Sequence, residues 1–140
     1  MKYILLPLVF LSFFNSIQAK EKQISESELA RYINTCKQFS MEKITLQGDS
    51  IRTDYCMNSE CSTFISWVFD LQHIKSITLK QDEEYFFLHF ECAENDCIKP
   101  PVIGTVYSPK SEYDMYIKSK EEAEKLLGML LQYQKKGKSK

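Results

Sequence analysis

Glycine and proline are scarce in this chain, at four residues each, and the sequence has no internal repeat or low-complexity segment. This composition excludes a flexible linker, a collagen-like chain and an intrinsically disordered protein. An excess of one charge is lacking too, because 18 Lys and Arg stand against 19 Asp and Glu. A nucleic-acid-binding protein carries a basic stripe, so we expect a folded domain without a nucleic-acid partner.

The chain also lacks a recognisable catalytic or cofactor motif. Enzyme chemistry needs a nucleophile, a base or a set of metal ligands at characteristic spacings, and neither His73 nor His89 lies in such a pattern. The segment Glu94-Asn95-Asp96 lacks the spaced oxygen ligands of a calcium loop. We therefore expect no enzyme activity, no catalytic residue, no metal ion and no cofactor.

The longest apolar run, Tyr3 to Phe14, follows the positive charge of Lys2 and precedes a short polar stretch that ends at Ala19. This layout predicts a signal peptide over residues 1–19, cleaved near Ala19, and export to the periplasm or the medium. The run is too short to cross about 30 Å of hydrocarbon, so we expect no stable membrane span after cleavage. A lipid anchor is not expected either, because no cysteine lies near the cleavage site.

The remaining chain has the length of one domain with a modest core, and nine Phe and eight Tyr are enough to fill it. We place this domain at residues 20–134. Residues 135–140 are mostly lysine, and a solvated, disordered tail is the expectation for them.

Two helices are expected, one at each end of the domain. Ser25 and Ser119 each precede a glutamate by three residues, as in a capping box. Apolar residues then recur at helical spacing. On the first helix they are Leu29, Tyr32, Ile33 and Cys36, and the residues expected to face away are Arg31, Asn34 and Lys37. On the second helix they are Ala123, Leu126, Leu127 and Leu130.

Between the helices the apolar period changes to two, which predicts six or seven strands. Gly48-Asp49 suits a two-residue hairpin loop. Tyr85 to Cys92 is the clearest strand, with Phe86, Leu88, Phe90 and Cys92 on one face and Tyr85, Phe87, His89 and Glu91 on the other. Residues 93–111 are irregular, with a short edge strand expected over residues 102–107.

This order of elements resembles the pleckstrin-homology-like superfold, as seen in small exported bacterial proteins of unknown function. The resemblance covers about Met41 to Gln134. It rests on the run Phe69-Asp70-Leu71-Gln72-His73-Ile74-Lys75-Ser76-Ile77, the aromatic strand after it, and the join Tyr116-Ile117-Lys118-Ser119-Lys120-Glu121-Glu122-Ala123.

The resemblance implies an α+β, β-rich fold with six or seven antiparallel strands in one bent sheet or barrel. An N-terminal helix would precede the strands, and the C-terminal amphipathic helix would cap one open end. In phosphoinositide-binding members the first strand loop is basic. Here that loop is Gln47-Gly48-Asp49-Ser50, without positive charge, so no phosphoinositide ligand is expected.

Four of the five cysteines form two sets with four intervening residues each, Cys56 with Cys61 and Cys92 with Cys97. An exported protein meets oxidising conditions, so two local disulfides are the simplest expectation. Cross-pairing between the two regions is the alternative, since spacing alone does not determine connectivity. Redox pairs and zinc sites use two intervening residues, which neither set has.

Cys36 is left over and lies on the apolar stripe of the first helix. A buried, inert thiol is the expectation, because free cysteine packs as a small hydrophobe. An interchain bond, or a bond to another cysteine, is the alternative.

The sequence thus predicts a secreted or periplasmic, non-enzymatic module that binds a protein partner. The expected binding surface contains Tyr85, Phe87 and His89 on one strand face, where His89 is taken to be a surface residue, and Tyr107 in the irregular loop.

Two other classes compete with this interpretation. One is a small exported enzyme or thiol-redox protein that uses Cys36, or a cysteine pair, with His89. The other is a structural component of the cell envelope, for which an interchain Cys36 bond would be the sign.

Overall fold

A computed structural model describes residues 22–101 and 107–139 of the chain. The signal peptide expected over residues 1–19 and most of the short strand expected over residues 102–107 lie outside them. The described elements, in chain order, are α1 (Glu26–Cys36), β1 (Glu42–Gln47), β2 (Ser50–Cys56), β3 (Phe64–Asp70), a 3-10 helix (Leu71–His73), β4 (Ile74–Gln81), β5 (Phe86–Cys92), β6 (Glu112–Ile117) and α2 (Lys120–Lys138).

The strands form two antiparallel sheets of three, which we call sheet 1 (β1-β2-β3) and sheet 2 (β4-β5-β6). The expected α+β class is right. The expected single bent sheet or barrel of six or seven strands is wrong, because the two sheets are separate and do not close.

The break between the sheets lies at Asp70. Its Oδ1 accepts a hydrogen bond from the Gln72 amide at 2.8 Å, which starts the 3-10 helix Leu71–His73. This turn redirects the chain, so β4 begins a new sheet instead of returning beside β3. In the described part of the segment between β5 and β6, residues 98, 99 and 110 form isolated β-bridges, Val68 to Lys99 and Ile98 to Lys110. Pro100-Pro101 cannot extend them because proline has no N–H.

The local signals for helix starts and for the first hairpin are confirmed. The Ser25 and Ser119 hydroxyls accept hydrogen bonds from the Glu28 and Glu122 amides at 3.1 and 3.2 Å. Gly48 has a φ of +59°, a conformation that glycine adopts without a steric penalty. Helix α2 continues to Lys138, so the residues from Lys135 to Lys138 are helical where a disordered tail was expected. Lysines in a last helical turn interact favourably with the helix dipole.

The core lies between the two sheets and under the helices. Phe69 of sheet 1 meets Phe90 of sheet 2 with ring centroids 5.3 Å apart. Helix α1 packs on β1 and on α2, and α2 packs on sheet 2. The predicted apolar stripes are confirmed, since Leu29, Ile33 and Cys36 of α1 and Ala123, Leu126 and Leu130 of α2 are all fully buried.

Asn34 differs from its expected position on the solvent face of α1. Its amide Nδ2 donates to the Ile44 carbonyl at 2.7 Å, and its Oδ1 accepts from the Ile44 amide at 3.1 Å. Asn34 therefore satisfies both backbone groups of Ile44 on β1, at the edge of sheet 1. Unpaired strand edges invite association with other chains, so this contact protects the edge.

Candidate functional site

The face of sheet 2 that points away from the core carries three side-chain pairs across β5 and β6. In the strand register Phe87 lies opposite Tyr116, His89 opposite Asp114, and Glu91 opposite Glu112. The alternate residues Leu88 and Phe90 are fully buried in the core, which confirms the two faces predicted for β5. We call the surface with these three pairs the outer face; one end is aromatic and the other is acidic.

At the aromatic end, five rings form a continuous cluster that we call the aromatic patch: Phe39, Tyr55, Tyr85, Phe87 and Tyr116. Tyr116 contacts Phe87, Phe39 and Tyr85 at centroid distances of 5.4, 5.6 and 5.7 Å. Phe39 also contacts Tyr85 at 5.8 Å and Tyr55 at 6.4 Å. Tyr55 is exposed and the other four rings are partly exposed. Two of the four residues expected to form a binding surface, Tyr85 and Phe87, thus lie in one patch.

Tyr107 lies in a different environment. Its ring packs edge-on against Trp67 of β3 at 5.9 Å, and it is exposed. The Lys110 ammonium lies over the same Trp67 ring at 4.1 Å, a cation–π contact. Partial burial at this position lowers the pKa of Lys110.

At the acidic end, His89 is not the surface residue that the sequence predicted. Only 6% of it is exposed. Its Nδ1 forms a hydrogen bond with Oδ1 of Asp114 at 2.6 Å, and because a carboxylate accepts, Nδ1 is the donor. Its other nitrogen, Nε2, faces Oε1 of Glu91 at 3.5 Å and Oε1 of Glu112 at 3.8 Å. We call His89, Glu91, Glu112 and Asp114 the histidine–carboxylate cluster.

Several of these residues have no signal of their own in the sequence. Phe39, Tyr116, Glu112 and Asp114 were not predicted as site residues. The sequence indicates only that each strand carries two polar side chains on one face, as His89-x-Glu91 and as Glu112-x-Asp114. Their convergence depends on the β5–β6 register, and these strands are separated by the irregular loop.

The predicted disulfide bonds are present as two local pairs. Cys56 and Cys61 have Cα atoms 5.0 Å apart, and Cys92 and Cys97 have Cα atoms 5.7 Å apart. Each pair closes the loop after a strand, β2 or β5. Cys61 and Asn95 have positive φ angles of 50° and 54°, so both loops turn sharply.

Cys36 is unpaired and fully buried. Burial raises the pKa of its thiol to about 12, and the nearby Glu122 carboxylate adds to this. A thiolate is the reactive form of cysteine, so this thiol is not set up for nucleophilic or redox chemistry at neutral pH.

A buried carboxyl group, Glu42, lies between the sheets. Its Oε1 accepts a hydrogen bond from the Tyr113 hydroxyl at 2.7 Å, and the Lys37 ammonium donates to its backbone carbonyl. Burial raises the pKa of Glu42, and the Tyr113 hydrogen bond and the Lys37 charge offset this only in part. The pKa of Tyr113 is raised as well, mainly by its own burial.

The raised pKa of Glu42 predicts a pH-dependent stability difference. The native protein holds the proton on the Glu42 carboxyl more tightly than the unfolded chain does. Protonated Glu42 therefore stabilises the fold fully below pH 4.5, the pKa of the unfolded chain, and this stabilisation is lost as the pH rises through the native pKa. We expect Glu42→Gln, which keeps an acceptor for Tyr113 but removes the charge, to raise the free energy of unfolding at pH 7, because the native state no longer holds a buried carboxylate. Urea titrations at pH 7 and pH 3.5 measure this, and the difference should vanish at pH 3.5.

Glu83→Gln, at an exposed position in the β4–β5 turn, is the matched control and should change little at either pH. A Glu42→Gln protein less stable than the parent at pH 7 would show that the buried charge stabilises the fold.

An open groove of about 820 Å³ lies between β3, the 3-10 helix and the Cys92–Cys97 loop. Its lining includes Asp70, His73, Asp96 and Lys99. Among the described residues these groups are not close enough together to hold a metal ion, whereas His89, Glu91 and Glu112 are.

Fold and site together define an α+β protein with two disulfides and a half-aromatic, half-acidic sheet face. Comparisons with protein-family models, curated proteins and solved structures found no match to this chain. The resemblance to the pleckstrin-homology-like superfold therefore stays a prediction. No helix within residues 22–101 and 107–139 is both long and apolar enough to span a bilayer. The two disulfides fit an exported protein.

Proposed function

We propose that this chain is an exported, non-enzymatic binding module, delivered by a cleaved signal peptide to the periplasm or the medium, and that its aromatic patch binds a protein partner. The observation that carries this proposal is the patch itself. Its five rings form a continuous set of contacts and are partly open to solvent. Aromatic residues supply a disproportionate share of the binding energy at protein interfaces.

The geometry of the patch favours binding because its rings are already ordered. Tyr116 packs against three other rings, so little side-chain freedom remains to be lost when a partner docks. Tyrosine suits this role because it presents a large contact area through only two side-chain torsions.

The charge next to the patch indicates what kind of protein segment would bind. The turn Asp82–Glu84 immediately precedes Tyr85 and is exposed. Asp82 accepts hydrogen bonds from the Glu84 and Tyr85 amides, which fixes this turn beside the patch. A partner segment with an apolar anchor and flanking basic residues would complement both features.

The competing classes have less support. The thiol-redox class needs a reactive cysteine, yet Cys36 is buried with a raised thiol pKa and the other four cysteines are paired. An envelope component with an interchain bond through Cys36 would need that sulfur at the surface.

Site-specific crosslinking tests the proposal. A photo-crosslinking amino acid replaces Tyr85 in one version of the protein and Phe64, an exposed aromatic on sheet 1, in a second version. After capture in its own compartment, we expect a discrete partner from position 85 and not from position 64. The affinity of the purified partner should fall by about thirtyfold for Tyr85→Ala, as for an interface hot spot.

Phe64→Ala is the matched control and should bind the partner as the parent does. Both variants are checked for folding by their urea midpoints. Equal capture from positions 85 and 64, or an unchanged affinity for Tyr85→Ala, would contradict the role of the aromatic patch.

A further inference from the structure

The histidine–carboxylate cluster has no role in the proposed partner binding, and in it Nε2 of His89 faces one oxygen each of Glu91 and Glu112. Asp114 holds the proton of Nδ1, so in a neutral imidazole Nε2 presents its lone pair. That lone pair and the carboxylates of Glu91 and Glu112 are all electron-rich, and they face one another. A cation bound between them would satisfy all three groups at once, although Glu91 and Glu112 are also open to solvent.

The distances favour a cation. An N–H···O hydrogen bond has a donor–acceptor distance of about 2.7–3.2 Å, and the Nε2 separations of 3.5 and 3.8 Å exceed this range. Ligand atoms around a tetrahedral metal with bonds of about 2.1 Å lie about 3.4 Å from one another. One Nε2 and one oxygen from each glutamate lie within 4.8 Å of one another, a spacing that a small closure would bring to this value.

Groups outside the proposed ligand set already orient it. Asp114 holds His89 through Nδ1, and the Ser76 hydroxyl donates to Oε2 of Glu91 at 3.2 Å, on the oxygen turned away from His89. Metal-binding histidines in proteins are typically held in this way by a carboxylate on the opposite ring nitrogen. His89 is more than nine-tenths buried, and Nε2 makes no hydrogen bond with the described residues.

The local charge balance points the same way. In the described ranges Glu91, Glu112 and Asp114 form ion pairs with His89 and none with a lysine or arginine, although the charge of Lys110 acts on Asp114 from a longer distance. Three carboxylates thus converge on one imidazole, and a dication would relieve their mutual repulsion.

We propose that His89, Glu91 and Glu112 form a binding site for a divalent transition-metal ion, with zinc as the occupant, and that Asp114 and Ser76 position the ligands. The imidazole ligand excludes calcium and magnesium, which prefer all-oxygen sites. Zinc accepts histidine and carboxylate ligands and leaves a fourth position for water. Since Glu91 is on β5 and Glu112 begins β6, the ion clamps the two strands together. This inference does not rest on the proposed partner binding.

Calorimetric titration of the purified, disulfide-bonded protein with zinc chloride tests the site. We expect one zinc per chain with micromolar or tighter affinity, and no comparable heat with calcium chloride. Cobalt(II), added in place of zinc, should show the visible absorption of a tetrahedral nitrogen–oxygen site without a thiolate band. The absence of the thiolate band separates this site from any binding by Cys36.

Variants assign the ligands. Glu112→Gln removes a carboxylate from an exposed side chain and does not threaten folding, and it should weaken zinc binding at least tenfold. Asp114→Asn, which removes both the carboxylate that accepts from Nδ1 of His89 and one negative charge beside the site, should weaken it by about tenfold to a hundredfold. His89→Ala should abolish the cobalt(II) spectrum. His73→Ala removes the other histidine, which is exposed, and should leave zinc affinity unchanged.

Three results would overturn the proposal: no saturable zinc uptake, equal weakening by Glu112→Gln and His73→Ala, or calcium binding as tight as zinc. The first would mean that the cluster stands without a bound cation. Because the crosslinking assay at position 85 has a separate readout, a failure here is distinguishable from a failure of the partner-binding proposal.

Discussion

Replacing Phe90 by alanine is expected to lower the free energy of unfolding by about 3–5 kcal/mol. Phe90 is fully buried at the centre of sheet 2, where β5 pairs with both β4 and β6. Its ring contacts Phe69 of sheet 1 at 5.3 Å and Tyr113 at 6.4 Å. The alanine variant loses the transfer free energy of the ring and also leaves a cavity between two sheets whose described strands do not pair with each other.

Urea unfolding with intact disulfides measures this loss. Small domains have a total stability of about 5–15 kcal/mol, so the variant would lose a large share of it and would melt on the order of 12–20 °C lower. Phe64→Ala makes the same chemical change at a site that is 51% exposed, on sheet 1. We expect that control to lose less than about 1 kcal/mol. Similar losses for the two variants would mean that the contact between Phe69 and Phe90 does not hold the sheets together.

The parts of the fold that local sequence patterns predicted are those that local interactions determine. A capping box needs only a serine and a glutamate three residues apart, so both helix starts were predictable at Ser25 and Ser119. The Gly48 hairpin and the alternation along β5 are equally local, because turn chemistry and a period of two act over a few residues.

Strand partnership was not predictable in the same way. Alternating apolar residues predict a strand but not the strand that pairs with it. Whether β3 and β4 belong to one sheet depends on the short 3-10 helix after Asp70. The same limit applies to Asn34. Helical periodicity places it opposite the apolar stripe, yet a strand edge lies close enough for its side chain to reach Ile44.

The two candidate sites share this dependence on long-range register. Phe87 and His89 were identifiable as one face of a strand, whereas Tyr116 and Asp114 become their neighbours only through the pairing of β5 with β6. The burial of His89 has the same origin, because a central strand has neighbours on both sides that cover its side chains. A single sequence without the register therefore predicts an aromatic surface but not the histidine–carboxylate cluster.

Replacing Gln134 by leucine is expected to lower the free energy of unfolding by about 2 kcal/mol, although leucine is the more apolar residue. Gln134 lies on the buried face of α2, and its Nε2 donates to the Leu71 carbonyl at 2.7 Å and to the Ile74 carbonyl at 2.9 Å. These carbonyls flank the 3-10 helix that separates the two sheets. Leu71 keeps a bond from the Ile74 amide, but both carbonyls lose a buried donor that leucine cannot replace.

Gln132→Leu is the matched control, because it makes the same change two residues earlier on the exposed face of α2. That variant should change the stability by no more than about 0.5 kcal/mol. Urea unfolding compares the two variants, and amide hydrogen exchange at Ile74 should accelerate in Gln134→Leu alone, since the side chain at position 134 would no longer hold the Leu71 and Ile74 carbonyls. If Gln134→Leu matched or exceeded the stability of the parent, burial of apolar surface would outweigh the two Gln134 side-chain hydrogen bonds, and α2 would not need them to stay on the sheets.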